Sequence, residues 1–231
     1  ARHAPTRTPF LLHDGETLTL AAPDRGLRSY VAVRGGLDVP AVLDSRATDA
    51  LSGIGPAPLA AGHMLAVGTA EPSQVVGAPE PATLAPRDDG AIVLRVAFGP
   101  RDDWFSAATR QQFLRQHWRA TDQSNRVGVR LDLADADNDT ALEREREGEL
   151  DSEGTVPGAL QVPPSGLPVL FLNDHPVTGG YPVIAVVIAE DLPIAAQVAP
   201  GEAIRFVAVD PDTLAPIEDH PGGAAAAEES S

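Results

Sequence analysis

Three glycine-bearing segments place arginine, amide and carboxyl groups where backbone N–H groups can also approach a ligand. The first is Arg34-Gly35-Gly36-Leu37-Asp38-Val39-Pro40, followed by Ser45-Arg46-Ala47-Thr48-Asp49. A glycine pair after a strand lets the backbone come close to a ligand, and Arg34 and Arg46 could clamp an anion between them. Such a pair is more often a tight turn than an anion nest. The second segment, Asp122 to Leu131, runs a polar cluster straight into an apolar strand, which puts Asn125 and Arg126 at a strand mouth. The third extends from Glu153 through Gln161 and Gly166, then across a strand to Asn173-Asp174-His175-Pro176-Val177-Thr178-Gly179-Gly180-Tyr181-Pro182. Here Asp174 and Thr178 could cap the turn through side-chain to backbone bonds, and Tyr181 could close a barrel end. His175 is the one histidine inside a dense segment. The others are scattered with no pair at zinc-ligand spacing, so no metal site is expected.

Composition removes whole classes of chemistry. The chain has 231 residues with 33 acidic and 17 basic side chains, a formal charge of −16 and a pI of about 4.6. All the basic residues are arginine; lysine and cysteine are absent. A cysteine nucleophile, disulfide, thiolate metal site, Schiff-base or P-loop lysine and a biotinylated lysine are therefore excluded. The acidic balance argues against nucleic acid as the main partner, because phosphate binding needs clustered positive charge. No Gly-x-Ser-x-Gly elbow occurs, and Gly53-Ile54-Gly55 lacks the third glycine of a dinucleotide site.

The elements that must position these groups read as mostly β. Aromatic residues are only 4% of the chain, against 22 prolines and 21 glycines, which favours short strands and turns over a helical bundle. Strands are expected at Thr17–Ala21, Ser29–Val33, Met64–Val67, Ile92–Phe98, Pro168–Leu172, Val183–Ala189 and Ala203–Val209. A helix is expected after Asp102 and Asp103, with Trp104, Ala107, Ala108 and Leu114 on one face, and a shorter one near Asp191 with Pro193 in its first turn. The proline-rich stretch Thr69 to Gly90 reads as a linker, with a boundary near residue 88. An echo between Tyr30-Val-Ala-Val and Tyr181-Pro-Val-Ile-Ala-Val, each leading to a Gly turn that feeds a strand, supports this boundary, and ordinary β-turn chemistry recurring by chance accounts for it equally. Asp132 to Glu153 carries ten carboxylates and two arginines, net −8. Its Asp135, Asp137 and Asp139 imitate a calcium loop, but Thr140 and Arg146 stand where the turn glycine and closing glutamate belong, so a solvated, mobile excursion is expected. The longest apolar run, Pro182 to Ala189, is too short to span a membrane. With no secretory segment at its start, the chain is expected in the cytoplasm.

Tyr30-Val-Ala-Val-Arg-Gly-Gly-Leu-Asp-Val-Pro, Ser45-Arg-Ala-Thr-Asp, Asp103-Trp-Phe, Ser124-Asn-Arg-Val-Gly-Val-Arg-Leu, Glu153-Gly-Thr-Val-Pro-Gly-Ala-Leu-Gln-Val-Pro-Pro-Ser-Gly and Thr178-Gly-Gly-Tyr-Pro, in that order, resemble the allophanate hydrolase subunit 2 family. That family is also described as the carboxyltransferase-type domain of urea amidolyase and as the C-type component of bacterial ATP-dependent 5-oxoprolinase. The resemblance runs from about residue 15 to 209.

It implies tandem cyclophilin-like β-barrel lobes with a few short helices. The first lobe and linker would occupy residues 1–88, the second 89–212, and a disordered tail 213–231. It also implies an enzyme subunit, inactive alone, that joins a companion of the allophanate hydrolase subunit 1 type, and a lactam-hydrolase subunit, to open 5-oxoproline to glutamate with ATP. A regulatory binding module antagonising a sensor-kinase inhibitor is the alternative. So is carboxyl transfer from biotin, which would need a separate carrier protein. By position, the resemblance makes Arg34, Arg46, Asn125 and Arg126 anion or substrate contacts and Gln161 an amide-recognising group. It makes Asp174, Thr178, Gly179, Gly180 and Tyr181 the pocket wall, with Asp174 the best-placed carboxylate for proton transfer. Val183 stands where the family commonly carries a basic residue.

Overall fold

The computed structural model describes residues 3–4, 6–72, 77, 87–146, 148 and 150–217. The chain divides into two compact units, Ala1–Thr83 and Leu84–Ser231. Most of the expected linker, and residues 218–231 of the expected tail, lie outside the described residues.

The second unit is built on alternating apolar strands. After the short β1 (Arg87–Asp88), β2 (Ala91–Phe98) turns Ile92, Leu94 and Val96 inward. β3 (Trp118–Ala120), β4 (Gly128–Leu133), β5 (Glu153–Gly154), β6 (Ala159–Gln161), β7 (Val169–Phe171), β8 (Thr178–Gly179), β9 (Val183–Val187) and β10 (Ala203–Ala208) follow. The main sheet runs β1-β2-β10-β3-β4-β7-β6-β9, and a further β2–β9 pairing closes seven of its strands into a barrel. Closure leaves the ring without an open edge. β2 and β10 are parallel, with Ile204 opposite Ile92, and β2 and β9 antiparallel, with Val96 opposite Val187. β5 and β8 form a separate two-stranded ribbon.

Helix α1 (Ala107–Arg115) starts where Ser106 accepts a hydrogen bond from the Thr109 amide, one turn after a 3-10 turn over Asp102–Trp104. Its Phe113 enters the barrel core and stacks on Phe206 at 4.7 Å and 16°. The short α2 (Leu192–Ala195) has proline in its first turn. Burying large side chains such as Trp118, Leu160, Leu170 and Ile184 contributes about 1.5–3 kcal/mol each. Residues 213–217, assigned by sequence to the tail, return to the end of β10, where the Ile217 amide donates to the Ala208 carbonyl at 2.9 Å.

Two expectations need correction. The acidic excursion is pinned rather than freely solvated. Leu142 is buried in the core, the Glu145 amide donates to the Trp104 carbonyl at 2.8 Å, and Gln112 and Gln116 both donate to the Thr140 carbonyl. Asp135 closes its own turn by accepting from Asn138 Nδ2 and the Asp137 amide; the Asn138 hydrogen bond holds its carboxyl below the usual aspartate range. Among the described residues no cluster of three His, Asp or Glu could hold a metal ion.

The first unit also departs from expectation. Thr17–Ala21, Ser29–Val33 and Met64–Val67 form no ladder among the described residues; single bridges such as Leu37 to Val67 stand instead. A strand needs a paired neighbour and a covered face. No described residue of this unit is buried, and Tyr30 and Met64 are 80% and 97% exposed.

Candidate functional site

In the first unit, two backbone segments cross on glycine. The Gly36 amide closes a turn onto the Val33 carbonyl at 2.8 Å, and the Gly68 amide donates to the Gly36 carbonyl at 3.0 Å. Gly35 has φ of +89°, and a Cβ there would lie 2.1 Å from the Gly68 carbonyl oxygen. The glycine pair therefore works as a turn and a close crossing. Beside it lies a cleft of about 440 Å³ lined by Gly35, Gly36, Asp38, Arg46, Gly68 and Thr69, among others. Arg46 is held in the wall by donation from Nε to the Val39 carbonyl at 2.8 Å. Arg34 does not line this cleft. Gly35→Ala is expected to strain the crossing by about 1–3 kcal/mol. Hydrogen exchange at the Gly68 and Asp38 amides should then accelerate about tenfold or more, which NMR would record.

The second unit gathers the remaining residues along one barrel end and one outer face. Asn125 Oδ1 accepts from the Val127 and Gly128 amides, so this side chain builds the turn that feeds β4. Arg126 Nε lies 3.1 Å from Asp174 Oδ2, and the Asp174 amide donates to the Arg126 carbonyl at 3.3 Å. The ion pair has no aligned hydrogen bond: buried Oδ2 accepts none from the described residues. Next in the chain, His175 stacks on Phe171 at 5.8 Å and 14°. Its Nδ1 meets Thr155 Oγ1 at 3.1 Å and the Pro176 carbonyl at 2.7 Å.

The ribbon carries the contacts onward. The Thr155 amide donates to the Val177 carbonyl at 2.9 Å, and Gly154 is paired with Thr178 and Glu153 with Gly179. Beneath it, Ala159, Phe171 and Val183 form a small cluster on the outer barrel face. Gln161, 5% exposed, donates from Nε2 to the Tyr181 carbonyl at 3.1 Å. A Cβ on Gly179 would lie 2.4 Å from that Nε2, so any larger residue there requires the Gln161 carboxamide to shift. Thr178, Gly180 and Tyr181 remain exposed. Contacts thus link Arg126, Asp174, Thr178, Gly179, Gln161 and Tyr181 in one continuous array.

Sequence reasoning missed the groups that hold the ribbon down. Arg101 Nε donates to both Glu153 oxygens at 3.0 Å, its Nη2 also contacts Oε1, and its amide donates to the Val183 carbonyl at 3.0 Å. The two residues are 52 apart in sequence, and no local pattern couples them. Hydrogen bonding to Glu153 raises the Arg101 pKa, and the same bond from Arg101 holds the Glu153 carboxyl below the usual glutamate range. A lowered folded-state pKa stabilises the folded form above the unfolded pKa, and the contribution disappears as pH falls through the folded value. Acidification below the usual glutamate range should therefore loosen the ribbon. Thr155 and Gly179 amide resonances should titrate there in the parent chain and not in Glu153→Gln.

Known proteins carry the same arrangement of sequence. The chain is 37% identical over 197 residues to the C-type component of 5-oxoprolinase from Escherichia coli strain K12, spanning 84% of this chain and 60% of that protein. Identity to urea amidolyase of Lachancea kluyveri is 32% over 221 residues, 87% of this chain and 12% of that one. The crystal structure of the Kluyveromyces lactis urea amidolyase superposes with a TM-score of 0.66 at 26% identity, covering 81% of this chain and 12% of that chain. The chain therefore spans about 60% of the length of its 5-oxoprolinase relative. No helix among the described residues is long and apolar enough to cross a membrane. The pattern of the carboxyltransferase domain, subdomains A and B, matches residues 1–208, and with a mostly β structure around a closed seven-stranded barrel the chain belongs to that family.

Proposed function

We propose that this chain is the C-type component of an ATP-dependent amide hydrolase that opens 5-oxoproline to glutamate together with partner subunits in the cytoplasm. The observation that carries the reading is the Arg126–Asp174 pair, whose buried Oδ2 accepts no hydrogen bond from the described residues. A lactam presents an N–H donor, a carbonyl acceptor and, in 5-oxoproline, a carboxylate. Asp174 accepts from the N–H, while the half-exposed Arg126 guanidinium donates to an oxygen that gains negative charge. Thr178, Gly179, Gly180 and Tyr181 form the wall, and Gln161 presents its carboxamide behind them. Asn125 shapes the loop that carries Arg126.

Arg46 and its cleft, with Arg34 on the adjoining turn, form a second anion contact on the first unit. ATP is used by the assembly, which includes a companion of the allophanate hydrolase subunit 1 type and a lactam-hydrolase subunit. Similarity to the 5-oxoprolinase component of Escherichia coli supports this reading. The similarity to urea amidolyase favours a second one, carboxyl transfer from biotin. Without lysine, the chain would then need a separate biotin carrier. The assembled subunits should hydrolyse ATP only when 5-oxoproline is present. ATP hydrolysis that ignores 5-oxoproline but responds to a biotinylated carrier would overturn the first reading in favour of the second.

A further inference from the structure

We infer that His175, and not the neighbouring carboxylate, is the group that moves the proton at this site, with Nε2 as the acceptor. The assignment rests on the proposed amide-hydrolase reading for its substrate, and on hydrogen-bond logic for its chemistry. Nδ1 lies 2.7 Å from the Pro176 carbonyl oxygen, which can only accept, so Nδ1 must carry a proton. Thr155 supports the same tautomer. Its hydroxyl donates to that carbonyl, which leaves Oγ1 to accept from Nδ1 at 3.1 Å.

A neutral imidazole protonated at Nδ1 has its basic lone pair on Nε2. Among the described residues nothing hydrogen-bonds Nε2. The ring plane is set by the stack on Phe171, and the residue is partly exposed, so a ligand can meet it. Asp174 is engaged differently, since its Oδ2 faces Arg126 Nε. The charged groups on the segments packed around His175 are Asp174 and Arg126 at the barrel mouth, and Glu153 with Arg101 on the ribbon side.

In the step, the Nε2 lone pair takes a proton from water as the oxygen adds to the amide carbon. The C–N bond then breaks, and the same proton passes from Nε2 to the departing nitrogen. Base and acid are one group, since an imidazole that accepts a proton at Nε2 can return it from the same atom.

Two measurements decide the matter. Long-range ¹H–¹⁵N correlation spectra of the chain, with His175→Gln to assign the ring, should show Nδ1 protonated and Nε2 unprotonated; the opposite tautomer overturns the inference. In the assembled complex, His175→Gln should lower 5-oxoproline-dependent turnover at neutral pH about 100-fold or more. The loss should fall on kcat, with KM for 5-oxoproline changed less than about threefold. Turnover that falls through KM with kcat unchanged marks a structural ring and overturns the inference. A parent assembly that ignores 5-oxoproline overturns the substrate reading, and the tautomer alone then decides for or against the base.

Discussion

Trp118→Ala is expected to destabilise the barrel unit by about 3–5 kcal/mol. Trp118 is fully buried and, among the described residues, is the largest side chain so placed. It sits on β3 between two partners, with Ile204 of β10 and Leu133 of β4 opposite it, and its ring lies 6.2 Å from Phe113. Truncation therefore opens a cavity where helix and barrel meet. A polar consequence adds to this. Phe113 lies in the last turn of α1, where carbonyls run out of helical partners, and Trp118 Nε1 donates to its carbonyl at 3.1 Å. Trp118→Phe keeps most of the ring volume but removes that donor, and should cost about 1–3 kcal/mol. Domains of this kind have a total stability of about 5–15 kcal/mol, so the alanine variant approaches the threshold for folding. Urea titrations followed by circular dichroism would measure both. A shift under about 1 kcal/mol for Trp118→Ala would mean that the helix does not plug the barrel.

What was legible in the sequence follows the reach of each interaction. β2, β7, β9 and β10 were visible because five or more consecutive residues carry their apolar bias, or because turn residues bound them. β6 was not: Ala159-Leu160-Gln161 is too short to show alternation, and all three are buried because both barrel faces are covered there. α1 was legible from its acidic approach, but its face was not: Ala107 and Ala108, expected inward, are exposed, and the helix buries Thr109, Arg110 and Phe113 instead, while its cap, Ser106, became clear only with the geometry. The first unit went the other way. Tyr30-Val-Ala-Val carries strand propensity, yet propensity without a paired neighbour forms no ladder.

At the site, the loops bearing Arg126, Asp174 and Thr178–Tyr181 stood out because glycine and polar residues cluster where strands end. The expected clamp of Arg34 with Arg46 is not built: Arg46 lines the cleft beside the glycine crossing and Arg34 does not, because a spacing of twelve says nothing about where two side chains meet. Arg101 and Glu153 were illegible for a physical reason: an ion pair 52 residues apart leaves no periodic trace, and only the sheet closure brings the two together.

Arg126→Ala should lower kcat/KM for 5-oxoproline in the assembled enzyme about 10²–10³-fold while leaving the fold intact. The size follows from removing one preorganised donor aimed at a developing charge, worth about 2.7–4 kcal/mol. The intact fold follows from placement, since the Arg126 side chain is 51% exposed and its loop is held by backbone bonds, including Asp174 N–H to Arg126 C=O. Arg126→Lys separates charge from geometry. A lysine ammonium retains the positive charge but not the planar fork, so partial activity is expected. Asp174→Asn tests the other half of the pair, because asparagine keeps the shape and removes the negative charge opposite Arg126. If the two side chains grip one amide together, the double variant Arg126→Ala, Asp174→Asn should be little worse than the poorer single, since residues that act as a unit are not additive. Fully additive losses would mean that the two contact the substrate independently. Full activity in Arg126→Ala would remove this end of the barrel from the reaction, and the cleft beside Arg46 would then be the place to look for the substrate anion.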